Sequence, residues 1–185
     1  MLDQAFAIGE ERLAEKPSDL IERARRDPAA FGELYREHYV AIAQYIVRRV
    51  GDVHLAEDLA AETFIDAWRG MLRYRNEGIA FRHWLLRIAT NRVNRWARRK
   101  RREHVVACVP EVVVEAGTGA GREVVEVLLT LRSEHQAVLC LHHVEGLSVE
   151  SVALVLGVSV GTVKSRLHRA RRAMRKALEI KEVDS

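Results

Sequence analysis

Residues 157–178 read GVSVGTVKSRLHRARRAMRKAL, and no acidic residue interrupts the run. Val163, Leu167, Ala170, Met174 and Leu178 follow one another at steps of four, three, four and four, so on a helix they form one stripe facing a core. Lys164, Ser165, His168, Arg172 and Arg175 fall opposite, with Arg169 at the edge. A solvated cationic helix normally interleaves acids with its bases, and this one has none. A membrane-surface helix wants bulky aromatics on its apolar face, which here is Val, Leu, Ala and Met. Nucleic-acid contact is the reading these residues favour.

Just upstream, GLSVESVALVLG (146–157) supplies a short apolar helix ending in a tight turn. Ser148 can cap this helix and Ser159 the next, each hydroxyl accepting from an unpaired first-turn amide. Gly157 between them is free to take positive φ. Helix, glycine turn and basic helix in that order are the layout of a helix-turn-helix. The predicted DNA contacts on its second helix are Thr162, Lys164, Ser165, His168, Arg169 and Arg172. Lys164, Ser165, His168 and Arg169 are the candidates for base edges in the major groove, where lysine and arginine suit guanine. Arg171, Arg172, Arg175 and Lys176 lie farther round or farther back and suit phosphates.

Before this motif, EVVEVLLTLRSEHQAVLCLHHVEG (123–146) predicts one or two helices, making 123–185 an all-helical module. Its CLHHV offers Cys140, His142 and His143 as ligands or nucleophile for an enzyme. Only Cys140 and His143 share a helix face, however, and no water-activating carboxylate is evident, so packing is expected instead. Cys108 and Cys140 show no CxxC spacing, which predicts reduced thiols, no metal and no cofactor. Residues 104–122, HVVACVPEVVVEAGTGAGR, pair a β-branched run around Pro110 with three glycines and are expected to form a flexible linker. A phosphate loop is excluded because GTGAG lacks the trailing Lys and Ser/Thr.

Residues 18–103 are patterned as four helices, separated at RDPAA, VGDVH and YRNEGIA. Asp27 and Pro28 suit the start of the second helix and Gly51 its end, while Phe31, Leu34, Tyr35, Ile42, Tyr45 and Ile46 mark its apolar face. A second cationic segment, FRHWLLRIATNRVNRWARRKRR (81–102), carries nine Arg and Lys residues and no acid. On a helical wheel Leu85, Leu86, Ile88, Ala89, Val93 and Trp96 take one side. Arg87, Asn91, Asn94, Arg95 and Arg98 take the other, with Trp84 beside them. Unpaired bases are held by stacking and read by amide groups, so this mixture points to single-stranded nucleic acid. Core packing of Trp84 and a solvated role for the asparagines fit the pattern as well. The preceding segment, AEDLAAETFIDAWRGMLRYR (56–75), instead places Asp58, Glu62 and Asp66 four apart in an acidic stripe. Such a stripe repels phosphate and suits either solvent or a basic protein partner.

The whole chain has 185 residues, 48% of them hydrophobic, and a net charge of +4, enough for one domain or two small ones. No run of eighteen apolar residues occurs, and MLDQAFAIGEERLAEK has acids where a signal peptide needs cations, so a cytoplasmic protein without membrane insertion is expected. Residues 1–17 form an extension for which the pattern gives no reading.

Together AEDLAAETFIDAWR, FRHWLLRIATNRVNRWARRKRR and GVSVGTVKSRLHRARRAM resemble, in order and spacing, a sigma factor of the extracytoplasmic-function (ECF) group within the sigma-70 family. The resemblance covers about residues 18–180. It implies an all-α protein of two small helical domains, sigma region 2 at 18–103 and sigma region 4 at 123–185, joined by the 104–122 linker. It also implies a non-enzymatic initiation factor whose −35 reading positions are Lys164, Ser165, His168 and Arg169. The −10 and melting positions it implies are Asn76, Trp84, Arg87, Asn91, Asn94, Arg95 and Arg98, with Arg75, Glu77 and Ile79 also in the specificity loop. Asn91 matches a position in the pocket for a flipped base. Implied partners are promoter DNA, core RNA polymerase and an anti-sigma factor. On the polymerase these are the β flap and an arginine-rich β′ coiled coil, the latter meeting Asp58, Glu62 and Asp66. A stand-alone helix-turn-helix regulator is the alternative.

Overall fold

The structure, a computed structural model, describes residues 17–75, 80–103 and 120–183. All regular structure among them is helical. The chain divides into two compact units, the first ending at Glu37 and the second beginning at His38.

In the first unit, α1 (Pro17–Ala24) buries Ile21 and Ala24. A carboxylate oxygen of Asp27 then accepts from the Ala29 amide at 2.9 Å, capping α2 (Pro28–Val50) as Pro28 enters its first turn. Arg23 and Glu33 pair across the two helices at 3.6 Å. Leu34 is buried, Phe31 is half-buried, and Tyr35 is exposed despite its place in the apolar pattern.

The second unit opens with the rest of α2, whose Ile42, Tyr45 and Ile46 are buried. Gly51 ends the helix at φ +74°, a left-handed conformation that glycine adopts without penalty. Asp52 caps α3 (Val53–Gly70) by accepting from the Leu55 amide at 3.0 Å. Ala56, Leu59, Ala60, Phe64 and Ala67 form the buried face of α3. A short 3₁₀ turn, Met71–Arg73, leads out of α3. Helix α4 (Phe81–Glu103) returns along α3 and buries Leu85, Leu86, Ala89 and Val93, while Ile88 and Trp96 are half-buried.

The chain is described again from α5 (Ala120–Thr130), which begins inside the segment expected to be linker; residues 104–119 lie outside the described residues. The side-chain amide of Gln136 donates to the carbonyls of Leu129 and Leu131, satisfying acceptors that the end of α5 leaves open. Helix α6 (Ser133–Leu139) widens into a π-turn at Cys140–Val144, closed by the Glu145 amide on the Cys140 carbonyl at 2.9 Å. This turn corrects the expectation that Cys140 and His143 share a face. Five-residue hydrogen bonding rotates each residue less than α-helical bonding does, leaving Cys140 buried and His143 exposed. Helices α7 (Val149–Leu156) and α8 (Val160–Val183) complete the fold, with Val163, Leu167 and Ala170 buried and Met174 and Leu178 half-buried.

Burial pushes the Cys140 thiol up to about 11 from an ordinary value of 9.0. The folded pKa is the higher one, so this contribution to stability is complete below about pH 9 and is lost as pH rises through about 11. Denaturant unfolding at pH 8.5 and 10.5 is expected to show the wild type losing on the order of 2 kcal/mol more than Cys140→Ala. Equal losses in the two proteins would contradict this assignment.

Candidate nucleic-acid and polymerase interfaces

The helix-turn-helix is built by local backbone chemistry. Ser148 caps α7 by accepting from the Ser151 amide at 3.1 Å, and Ser159 does the same for Thr162 at 3.1 Å to start α8. Gly157 sits between them at φ +65°, its amide donating to the Ala153 carbonyl. The α8 backbone also organises its polar face. The Ser165 hydroxyl donates to the Thr162 carbonyl at 2.9 Å, and Arg169 Nε donates to the Ser165 carbonyl at 3.3 Å. Lys164, Ser165, His168, Arg169 and Arg172 are exposed over the buried back of the helix, and Thr162 is half-buried. Arg171 bends toward the π-turn, where its Nε donates to His143 Nε2 at 3.2 Å. Burial and the Arg171 and His142 charges hold His143 below the usual histidine range, which suits the acceptor role. A cavity of about 540 Å³ lies beside this pair, with Leu139, Met174 and Leu178 as apolar lining and Arg175 and Glu179 among its charged groups.

On α4, Arg87, Asn91, Arg95 and Arg98 are exposed. Trp84 is half-buried in an aromatic cluster, its ring centroid 4.7 Å from Tyr74 and 5.6 Å from Phe81. Gly70 permits that packing, because a Cβ there would meet the Trp84 ring at 3.1 Å. The core reading of Trp84 therefore describes this structure better than an open stacking platform. Asn94 is also engaged: its Oδ1 accepts from Arg49 Nη2 and from the Ser133 hydroxyl, both at 2.8 Å. Asn76, Glu77 and Ile79 lie outside the described residues, and Arg75 is exposed.

The acidic stripe on α3 is divided. Asp58 and Glu62 are exposed and Asp66 is half-buried. Arg92 of α4 reaches across, donating from Nε to Asp66 at 2.6 Å and from Nη1 to Glu62 at 2.5 Å. Beside the acids, Ile65, Trp68 and Leu72 leave an apolar strip exposed.

Two arginines were not singled out from the sequence although their spacing carried a signal. Arg49 follows Ile42, Tyr45 and Ile46 by seven, four and three, which puts it on the buried face of α2. It is 2% exposed and donates to Tyr45 Oη at 3.1 Å, to Asn94, and to the Ser133 carbonyl and hydroxyl at 3.0 and 2.8 Å. Arg92 likewise follows Leu85 by seven and Ile88 by four.

Among the described residues no group of three or more His, Cys, Asp or Glu is arranged to hold a metal ion, and no helix is long and apolar enough to cross a membrane.

Known proteins align with this arrangement along most of the chain. Residues 34–103 match the family model Sigma-70 region 2, and residues 121–174 match Sigma-70, region 4. The RNA polymerase sigma factor YlaC of Bacillus subtilis is 33% identical over 78% of this chain and 89% of its own. The ECF RNA polymerase sigma factor SigL of Mycobacterium tuberculosis is 32% identical over 84% of this chain and 93% of its own. Among solved structures, CnrH in complex with the cytosolic domain of CnrY superposes with a TM-score of 0.66. It is 28% identical and covers 88% of this chain and 96% of that one. Two helical domains with the region 2 and region 4 patterns, and relatives named as sigma factors across nearly their full length, place this chain in the sigma-70 family as an ECF RNA polymerase sigma factor.

Proposed function

We propose that this sigma factor directs core RNA polymerase to promoters by reading the −35 element with α8 and the −10 element with α4. The observation that carries this reading is the α8 surface, on which Lys164, Ser165, His168 and Arg169 stand exposed over a buried apolar back. That geometry lets the start of the helix enter the major groove while the rest of the domain holds it there. Arg172 and Arg175, farther along, meet phosphates and add affinity that falls with salt. On α4, Asn91 contributes to a pocket for a flipped base and Arg87, Arg95 and Arg98 hold the separated strand. Unstacking a base costs a few kcal/mol, which such contacts offset. The acids of α3, Asp58 foremost, meet the β′ coiled coil, and the cavity beside Met174 and Leu178 receives the β flap. Bond making belongs to the polymerase, and this chain works in the cytoplasm without a metal or cofactor. An anti-sigma factor is a further partner, as the family resemblance implies. Working boundaries are region 2 at 18–103, linker at 104–122 and region 4 at 123–185.

Sequencing the 5′ ends of transcripts made by the reconstituted holoenzyme tests this reading. Start sites that share two separated upstream sequence elements are expected. Start sites without shared upstream sequence would contradict it.

A further inference from the structure

The three acids of α3 are held unequally, and the difference comes from one side chain on α4. Asp58, Glu62 and Asp66 stand four residues apart, so their carboxylates line one face of the helix. Arg92 spans two of them. Its Nε and Nη2 both meet Oδ2 of Asp66, at 2.6 and 2.5 Å, and its Nη1 donates to Oε2 of Glu62 at 2.5 Å. Burial opposes the guanidinium charge, but hydrogen bonds and charge from Asp66 and then Glu62 outweigh it and hold the Arg92 pKa above the usual arginine value. Asp58 stands exposed one turn before this pair.

The two halves of the contact differ in accessibility. The Asp66 side chain is 33% exposed and takes two of the guanidinium nitrogens, whereas that of Glu62 is 52% exposed and takes one. Asp66 is therefore the anchor of Arg92, and Glu62 is the acid that a basic partner reaches. An arginine of an incoming protein makes the same bonds to Glu62, and it gains that carboxylate only as Arg92 gives it up. Exchanging one arginine for another at a half-exposed carboxylate is close to neutral in free energy. Arg92 also offsets part of the negative field that draws a basic surface toward α3.

We propose that Arg92 is a positioning residue that sets the strength of core polymerase binding: it holds Glu62 in the free chain as an arginine of the polymerase does in the complex, and so restrains the affinity of the α3 surface. This rests on the reading that the α3 acids meet the β′ coiled coil. Asp58 then supplies the uncontested attraction, and Glu62 contributes in proportion to how far Arg92 releases it.

The test titrates the labelled full-length protein with core polymerase and compares wild type, Arg92→Gln, Glu62→Gln and the double variant. Arg92→Gln is expected to tighten core binding about threefold to fivefold, the size of one exposed ion pair, and the gain is expected to shrink as salt is raised. Glu62→Gln is expected to change affinity by less than about twofold in the wild-type background and to cost about threefold to fivefold beside Arg92→Gln, a non-additivity that the double-mutant cycle reads directly. A purely structural brace between α3 and α4 predicts the opposite, namely weaker core binding in Arg92→Gln and no further loss from Glu62→Gln. Either that pattern or an equal effect of Glu62→Gln in the two backgrounds overturns the proposal. Arg92→Lys keeps a charge at Asp66 but lacks the fork that spans both acids, and it serves if Arg92→Gln does not fold. It is expected to tighten binding by a smaller factor, and unchanged or weaker binding overturns the proposal there too. Core binding that survives Asp58→Arg marks failure of the α3 reading itself. Loss of core binding in Asp58→Arg without a gain in Arg92→Gln overturns the role of Arg92 alone.

Discussion

Lys164→Ala combined with Arg169→Ala is expected to weaken recognition of the −35 element by at least about thirtyfold while core polymerase binding stays at the wild-type level. A good bidentate contact to a base is worth about 1–3 kcal/mol of discrimination, so two lost contacts reach at least that factor. Neither side chain supports the fold. Both are exposed, and the caps of α8 and its buried Val163, Leu167 and Ala170 are untouched. Fluorescence anisotropy on a −35 duplex, with holoenzyme assembled from wild-type or variant protein, separates the two activities. Equal loss of duplex and core binding would count against α8 as the reading helix.

The opposite pattern is expected for Asp58→Arg: core binding lost and the α8 surface unaffected. Asp58 is exposed on α3, so arginine there removes no buried contact and stands four residues before Glu62, a favourable helical spacing. Against a basic coiled coil it replaces attraction with repulsion, and like charges brought together at an interface cost several kcal/mol. Asp58 is the more informative of the acids because Arg92 already engages Glu62 and Asp66. Gel filtration of the variant with core polymerase reads the effect. Co-elution at wild-type stoichiometry would remove Asp58 from the polymerase surface.

The parts of the fold legible in the sequence were those fixed by local chemistry. Asp27, Ser148 and Ser159 cap helices through contacts within three residues, and Gly51 and Gly157 end helices by left-handed φ. The α8 stripe was legible for the same reason, since its periodicity alone separates the buried from the exposed side. Less legible were arginines on apolar faces. Arg49 and Arg92 follow buried residues at helical spacing, but charge suggests solvent, and only tertiary partners bring their guanidinium groups inward. The π-turn at Cys140–Val144 was invisible to a helical wheel, which assumes one constant rotation per residue. Trp84 shows a further limit: its half-buried place among Tyr74, Phe81 and Gly70 depends on the path of the intervening chain.

The central claim, that this chain gives core polymerase its promoter specificity, is tested most directly by run-off transcription with purified core on a promoter identified from its own start sites. Core alone is expected to give no discrete product, and core with this protein a single transcript that Asp58→Arg abolishes. Tight, symmetric binding of the free protein to duplex DNA as a dimer, with no transcript when core is added, would contradict the claim and identify a stand-alone regulator instead.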